Sequence, residues 1–204
     1  MRLGIVSDIH CNIDALDAAL ARMGDVDEVL CAGDAVFQFR FSNEVVARLK
    51  EIGARVILGN HEDVVFGPLG ERVRQAAHVR SELLAWLGEQ PRRLDVTLGG
   101  RRLVMFHACP WEPHEYVYRE NPRIKEFATL GADYVIYGHT HYTLEHRING
   151  TTIINPGSAG QPRDPKNGFR SSFAILDTQS GEVTLEVYDD PVHKPQDGPY
   201  SIRR

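Results

Sequence analysis

The sequence predicts an α/β fold in which two sheets pack face to face and helices cover the outside. Three observations lead there. Strand-like apolar runs alternate with amphipathic helical stretches over the first part of the chain in a βαβαβ order, the pattern of parallel pairing. The later part changes to hairpins around Gly99-Gly100 and Asn149-Gly150, and antiparallel hairpin strands do not extend a simple doubly wound layer. The length of 204 residues, 42% of them hydrophobic, suffices to bury a core within one domain, expected over residues 1–190. Residues 191–204, with prolines at 191, 195 and 199, lack periodicity and are expected to form an extended or loosely attached tail.

The elements follow in order. "RLGIVSD" opens as a buried strand, and "NIDALDAALARM" continues as a helix with Asn12 as N-cap candidate and Ile13, Leu16, Leu20 and Met23 on one face. "DEVLCAGD" repeats the strand-to-turn form. In "NEVVARLKEIG", Val45, Val46, Leu49 and Ile52 point inward on a helix that Gly53 stops, and "ARVILGN" is a third strand. "ERVRQAAHVRSELLAWLGEQP" reads as one longer helix ending before Pro91. The hairpins "LDVTLGGRRLVMFH" and "TLEHRINGTTIIN" flank the strand-like "VIY" of residues 135–137, and "SSFAILD" and "EVTLEVY" add two strands. There is no internal repeat and no low-complexity linker.

Composition narrows the function classes. A net charge of -5 leaves no basic footprint for nucleic acid. Cys11, Cys31 and Cys109 are odd in number and lack zinc-knuckle spacing, so they read as reduced thiols. The apolar start is interrupted by Asp8, and no later segment is long enough to span a bilayer, so a cytoplasmic protein without a membrane partner is expected.

In "VIYGHTH" the histidines His139 and His141 stand two residues apart, and on a continuing strand they would share a face, which suggests a metal. A histidine pair at a strand end is more often surface decoration, so other segments decide. Four more strand-like runs end in ligand-type side chains: Asp8 and His10 in "SDIH", Asp34 in "GD", Asn60 and His61 in "GNHE", and His107 in "FH". Strand ends of α/β sheets are where binding residues gather.

These five elements, in this order, resemble the signature of the calcineurin-like metallophosphoesterase superfamily: D-x-H, G-D, G-N-H-[DE], a lone His and G-H-x-H. The resemblance runs from residue 5 to about residue 160. It implies a four-layer α/β/β/α sandwich of two mixed sheets. It also implies two divalent transition-metal ions, one held by Asp8, His10 and His141 and the other by Asn60, His107 and His139, with Asp34 bridging and a shared hydroxide as nucleophile. Imidazole, carboxylate and amide ligands suit manganese, iron, nickel, zinc or cobalt better than magnesium or calcium, and manganese is the first choice. His61 resembles the family's non-ligand histidine beside the substrate phosphate, as proton donor or charge stabiliser.

"NPGSAGQPR" resembles a segment of the small bacterial and archaeal phosphodiesterase branch, and Arg163 within it is a candidate phosphate contact. Phe37 in "FQFRF" and Trp111 in "WEPHEYVY" follow ligand positions and are candidates to wall the pocket or stack on a base, although aromatic loops also make dimer contacts, which would suit a homo-oligomer. Glu62 and Asp63 either orient His61 or serve as helix caps. His78, His114, His146 and His193 read as solvent-facing, and Cys11 as a small buried hydrophobe. Two departures matter. "GDAVFQF" lacks the Asp-Arg of the family's protein Ser/Thr phosphatases, and Ala108 replaces the usual glycine after the lone histidine. With no large cap insertion, a shallow open site and a small phosphoester substrate are expected. The leading expectation is therefore a phosphodiesterase for small nucleotide-like or organic phosphate esters. A dinucleoside polyphosphate hydrolase is the alternative enzyme, and a non-catalytic scaffold of the same fold the alternative class.

Overall fold

Side chains alternate across a strand, so a strand covered on both faces must be apolar at successive positions. The structure is a computed structural model that describes residues 1–192. In chain order its strands are β1 (Arg2–Val6), β2 (Glu28–Cys31), β3 (Arg55–Val56), β4 (Arg93–Leu98), β5 (Arg101–Phe106), β6 (Tyr134–Ile136), β7 (Thr143–Ile148), β8 (Thr151–Pro156), β9 (Ser171–Asp177) and β10 (Val183–Tyr188). Its α-helices are α1 (Ile13–Met23), α2 (Asn43–Glu51), α3 (Asn60–Phe66), α4 (Glu71–Arg74) and α5 (Ser81–Gly88).

Two five-stranded sheets result, in the orders β10-β9-β1-β2-β3 and β4-β5-β6-β8-β7. Both are mixed. β1 runs parallel to β2, with Ile5 opposite Leu30, and antiparallel to β9, with Ile5 opposite Ala174. β6 lies between two parallel partners, β5 and β8, and each hairpin adds an antiparallel edge strand. Both hairpin turns are left-handed at their two central residues, Gly99-Gly100 and Asn149-Gly150, as a twisted two-residue turn requires.

The alternation sorts side chains into layers. Leu3, Ile5 and Leu30 of one sheet meet Leu103, Met105 and Ile136 of the other in a core between the sheets. The opposite faces of β5 and β6 send Val104, Phe106 and Val135 outward, where Ile124 and Phe127 of the 3-10 segment Pro122–Leu130 cover them. On the other outside, Val6 and Cys31 pack with Leu16, Val45, Val46 and Leu49 of α1 and α2. Fully burying each such aliphatic side chain contributes about 1.5–3 kcal/mol.

Local chemistry starts and stops the helices. The Asn12 side chain accepts the Ala15 N–H and caps α1, as the sequence predicts, but the fully buried stripe is Ala15, Leu16, Ala19 and Met23. Ile13 and Leu20 are only partly covered. Ser42 caps α2, and Gly53, at φ 64°, takes the left-handed position that ends it.

The expected long helix from residue 71 is two, α4 and α5. Asn43 of α2 reaches into the break, donating to the His78 carbonyl at 2.6 Å and accepting the Arg80 N–H at 2.9 Å. Those backbone groups bond across to another element, which helical periodicity does not register. "GNHE" also differs from expectation, because Asn60 and His61 open α3 and do not end β3. Pro191 and Val192 are described. The rest of the expected tail, with His193, lies outside the described residues.

Candidate metal centre

Parallel strands present their C-terminal ends on one edge, and here those ends meet. β1 leads into Asp8 and His10, β2 into Asp34, β5 into His107 and β6 into His139 and His141, while Asn60 and His61 arrive on the first turn of α3. Backbone bonds stitch the loops together. Asp8 N–H donates to the Gly33 carbonyl at 3.1 Å, His10 N–H to the Asp34 carbonyl at 3.0 Å, and Gly138 N–H to the His107 carbonyl at 2.8 Å. The approach is close: a Cβ on Gly59 would overlap the Asp34 carboxylate, and one on Gly138 would overlap the Ser7 hydroxyl and the Asp8 carboxylate.

Asp8, His10, Asp34, His139 and His141 all have positive φ, between 49° and 66°. Left-handed backbone costs a non-glycine residue about 1–2 kcal/mol, so five such residues side by side mark a place where geometry is held against local preference. The two histidines of "GHTH" are thus not on a continuing strand, and they diverge into different clusters. Asp8, His10 and His141 form one group and Asp34, His107 and His139 a second, with the donor atoms of each within 4.8 Å of one another. Asp34 also groups with His10 and His61. The Asn60 amide oxygen lies 3.1 Å from His107 Nε2, so all seven expected ligands converge.

The donor atoms fit a cation. His141 Nδ1 bonds the Gln161 carbonyl and His107 Nδ1 the Ala32 carbonyl; a carbonyl only accepts, so both Nδ1 atoms carry the proton. Their Nε2 atoms face other acceptors. His141 Nε2 is 3.1 Å from Asp8 Oδ1 and 3.3 Å from His10 Nε2, and His107 Nε2 is 3.1 Å from Asp34 Oδ2. Asp8 Oδ2 accepts from the Ser7 hydroxyl at 2.6 Å and the His139 N–H at 3.0 Å, while the buried Oδ1 has no hydrogen-bond partner. Acceptors that converge in a buried site need a positive charge between them, from a proton or a metal ion.

Electrostatics agrees. Burial lowers His61 and His139 to about 4, leaving both neutral at neutral pH. Burial would lower His107 too, but the Asp34 carboxylate lifts it to about 10. Burial would raise Asp8, yet His141 and the other imidazoles hold it well below the carboxylate range.

Glu62 settles the choice left open between cap and orienter of His61. It is fully buried, and its carboxylate accepts the Gly59 N–H at 2.8 Å and the Asp34 and Val36 N–H groups at 2.9 Å. It caps α3 and ties that helix to the Asp34 loop, and burial with the nearby Asp34 charge raises it to about 7. His61 is oriented instead by the Gln38 N–H, which donates to its Nδ1 at 2.9 Å. Asp63 pairs with Arg92 on the surface.

Of the expected pocket aromatics, Phe37 lies against the cluster, edge-on to His10 at 5.7 Å and tilted on His61 at 4.8 Å. Trp111 is turned toward the outer core: its ring lies 5.0 Å from that of Phe127 and its Nε1 donates to Glu115. Tyr116 from the same stretch stacks on His139 at 4.1 Å instead. Arg163 is half-buried and donates to Gln161, whose carbonyl holds His141. The sequence offers the whole aromatic run of residues 111–118 as a pocket wall, and nothing local favours Tyr116 over Trp111 within it.

Residues 1–181 match the calcineurin-like phosphoesterase superfamily domain. A metallophosphoesterase structure from Sphaerobacter thermophilus is 29% identical, with a TM-score of 0.74 over 93% of this chain and 89% of that one. A novel archaeal phosphodiesterase shares the fold at 21% identity and a TM-score of 0.61, over 92% of this chain and 100% of that one. Vps29 from Entamoeba histolytica, complexed with zinc, shares it at 19% identity and a TM-score of 0.55, over 93% and 99%. Among the described residues no helix is long and apolar enough to cross a membrane.

Proposed function

Because the chain belongs to the calcineurin-like phosphoesterase superfamily, we propose that it is a dinuclear-metal phosphodiesterase for small nucleotide-like or organic phosphate esters. The observation that carries this reading is the pair of adjoining clusters, Asp8, His10 and His141 beside Asp34, His107 and His139, with Asp34 also within reach of His10 and five of the six residues left-handed. Asp8, His10 and His141 would hold one ion and Asn60, His107 and His139 the other, with Asp34 between them. Two divalent ions there, manganese by preference, would polarise phosphoryl oxygens and make an attacking water more acidic.

The chain's own groups do the rest. His61 accepts the Gln38 N–H at Nδ1, so its neutral ring carries the proton on Nε2, which lies 3.7 Å from Asp34 Oδ2 and faces the site. From there the Nε2–H donates a hydrogen bond to a phosphoryl oxygen, and as proton donor to a leaving group the ring would first take up a second proton. The Asp34 carboxylate is held by the His61 N–H at 2.9 Å on Oδ1, which leaves Oδ2 toward His107. Phe37 packs against the His10 and His61 side of the cluster.

The diester preference is supported by "NPGSAGQPR", by the missing Asp-Arg after Asp34, and by open space beside the cluster for a second ester arm. The scaffold reading has the shared Vps29 fold behind it, whereas every proposed ligand and His61 are present here. The deciding comparison is kcat/KM for bis(p-nitrophenyl) phosphate against p-nitrophenyl phosphate in saturating manganese. Faster diester hydrolysis is expected. A monoester preference moves the assignment to a phosphatase, activity on dinucleoside polyphosphates alone moves it to that hydrolase, and no activity with any metal favours the scaffold.

A further inference from the structure

The open space proposed above for a second ester arm is a pocket of about 700 Å³, and none of the proposed ligands lines it. Tyr116, Tyr118 and Tyr142 wall it, and Thr140, Thr143 and the buried Asp164 supply polar groups. It meets the centre through Tyr116. Tyr116 stacks on His139, and Thr140 separates His139 from His141 in the sequence. The tyrosines themselves form a layered set: Tyr116 parallel to Tyr118 at 6.1 Å and 12°, and Tyr118 edge-on to Tyr142 at 5.1 Å and 77°.

A bare phosphate needs no such space, while small organic ligands occupy pockets of about 300–1,000 Å³. Tyr116 and Tyr118 are 44% and 38% exposed, leaving aromatic surface for a flat ring to cover. The floor is polar. Asp164 Oδ1 accepts the Lys166 N–H at 2.9 Å and Oδ2 the Thr143 hydroxyl at 3.3 Å, and each carboxylate oxygen can accept a further bond, as from an exocyclic amino group.

We propose that this pocket binds the nucleobase of a nucleoside phosphoester whose phosphate lies at the Asp34-centred clusters, an inference that rests on the phosphoesterase reading. The test is equilibrium binding of adenosine 5′-monophosphate and ribose 5-phosphate, by calorimetry, to the manganese-loaded full chain and to its Tyr118→Ala and Tyr118→Phe variants. Tyr118 is chosen because Tyr116 touches a proposed ligand and Tyr118 does not carry the core. Adenosine 5′-monophosphate is expected to bind at least about tenfold tighter than ribose 5-phosphate, from base–aromatic stacking. Tyr118→Ala should erase that ratio and Tyr118→Phe keep it, while ribose 5-phosphate binding in each variant reports an intact site. Equal affinities in the unaltered protein, a ratio that survives Tyr118→Ala, or one lost in Tyr118→Phe overturn the pocket assignment and leave the phosphoesterase reading standing. Failure of both ligands to bind with manganese removes that reading and this proposal together.

Discussion

Leu3 and Ile5 on β1 and Asp8 and His10 just beyond it lie within a few residues of each other and obey opposite rules. The first pair sits in regular strand backbone, fully buried against the facing sheet. The second pair has positive φ, and each member leaves a buried polar atom, Asp8 Oδ1 and His10 Nδ1, without a hydrogen-bond partner. The difference teaches how the molecule divides its work. Sheet packing supplies stability that the strand-end cluster draws on to hold charged, crowded, left-handed residues in place.

That division can be broken from either side, and the largest effect on turnover is expected at Asp34. Asn fits the same space and tolerates φ 54°, so Asp34→Asn should fold. Loss of the shared charge should cost several kcal/mol of rate, on the order of 10³-fold. The metal-free variant should unfold slightly earlier than the metal-free parent, because the charge that pairs with His107 is gone, and a failure to fold would mean that Asp34 is structural. His61→Ala comes next, with turnover down about 10²-fold and metal content unchanged. The loss should be smaller for a nitrophenolate leaving group than for an alkoxide if His61 hands over its proton, and equal for both if it only stabilises charge.

Glu62→Gln probes the tie between the two regions. An amide cannot accept all three backbone N–H groups that Glu62 now holds, so Asp34 should lose its fixed position. Outer-shell partners of this kind are worth about 10–100-fold in metal affinity, and titration with manganese should show a weakening toward the lower end. Unaltered affinity would make Glu62 a helix cap and nothing more. Ile5→Ala sharpens the contrast from the core side: a cost of about 2–5 kcal/mol to stability, read by denaturant unfolding, with turnover of the folded protein unchanged.

Both regions were legible in the sequence to different depths. Hairpins, most strands and the capped helices α1 and α2 follow local rules of period and turn chemistry. The candidate ligands stand out because five short motifs fall in the order of the family signature. What escaped depends on contacts between distant segments. Asn43 breaks the expected long helix from 35 and 37 residues away, and the choice of Tyr116 over Trp111 at His139 is made by the outer core that claims Trp111. The left-handed backbone at Asp8, His10, Asp34, His139 and His141 has no local mark either, since only packing and hydrogen bonds impose it.

The central claim is that the seven converging side chains form a two-ion site bridged by Asp34. Anomalous diffraction from crystals of the chain grown with manganese tests it most directly. Two peaks are predicted about 3.5–4 Å apart, one among Asp8, His10 and His141 and the other among Asn60, His107 and His139, with Asp34 reaching both. A single peak, or peaks away from these residues, would contradict it.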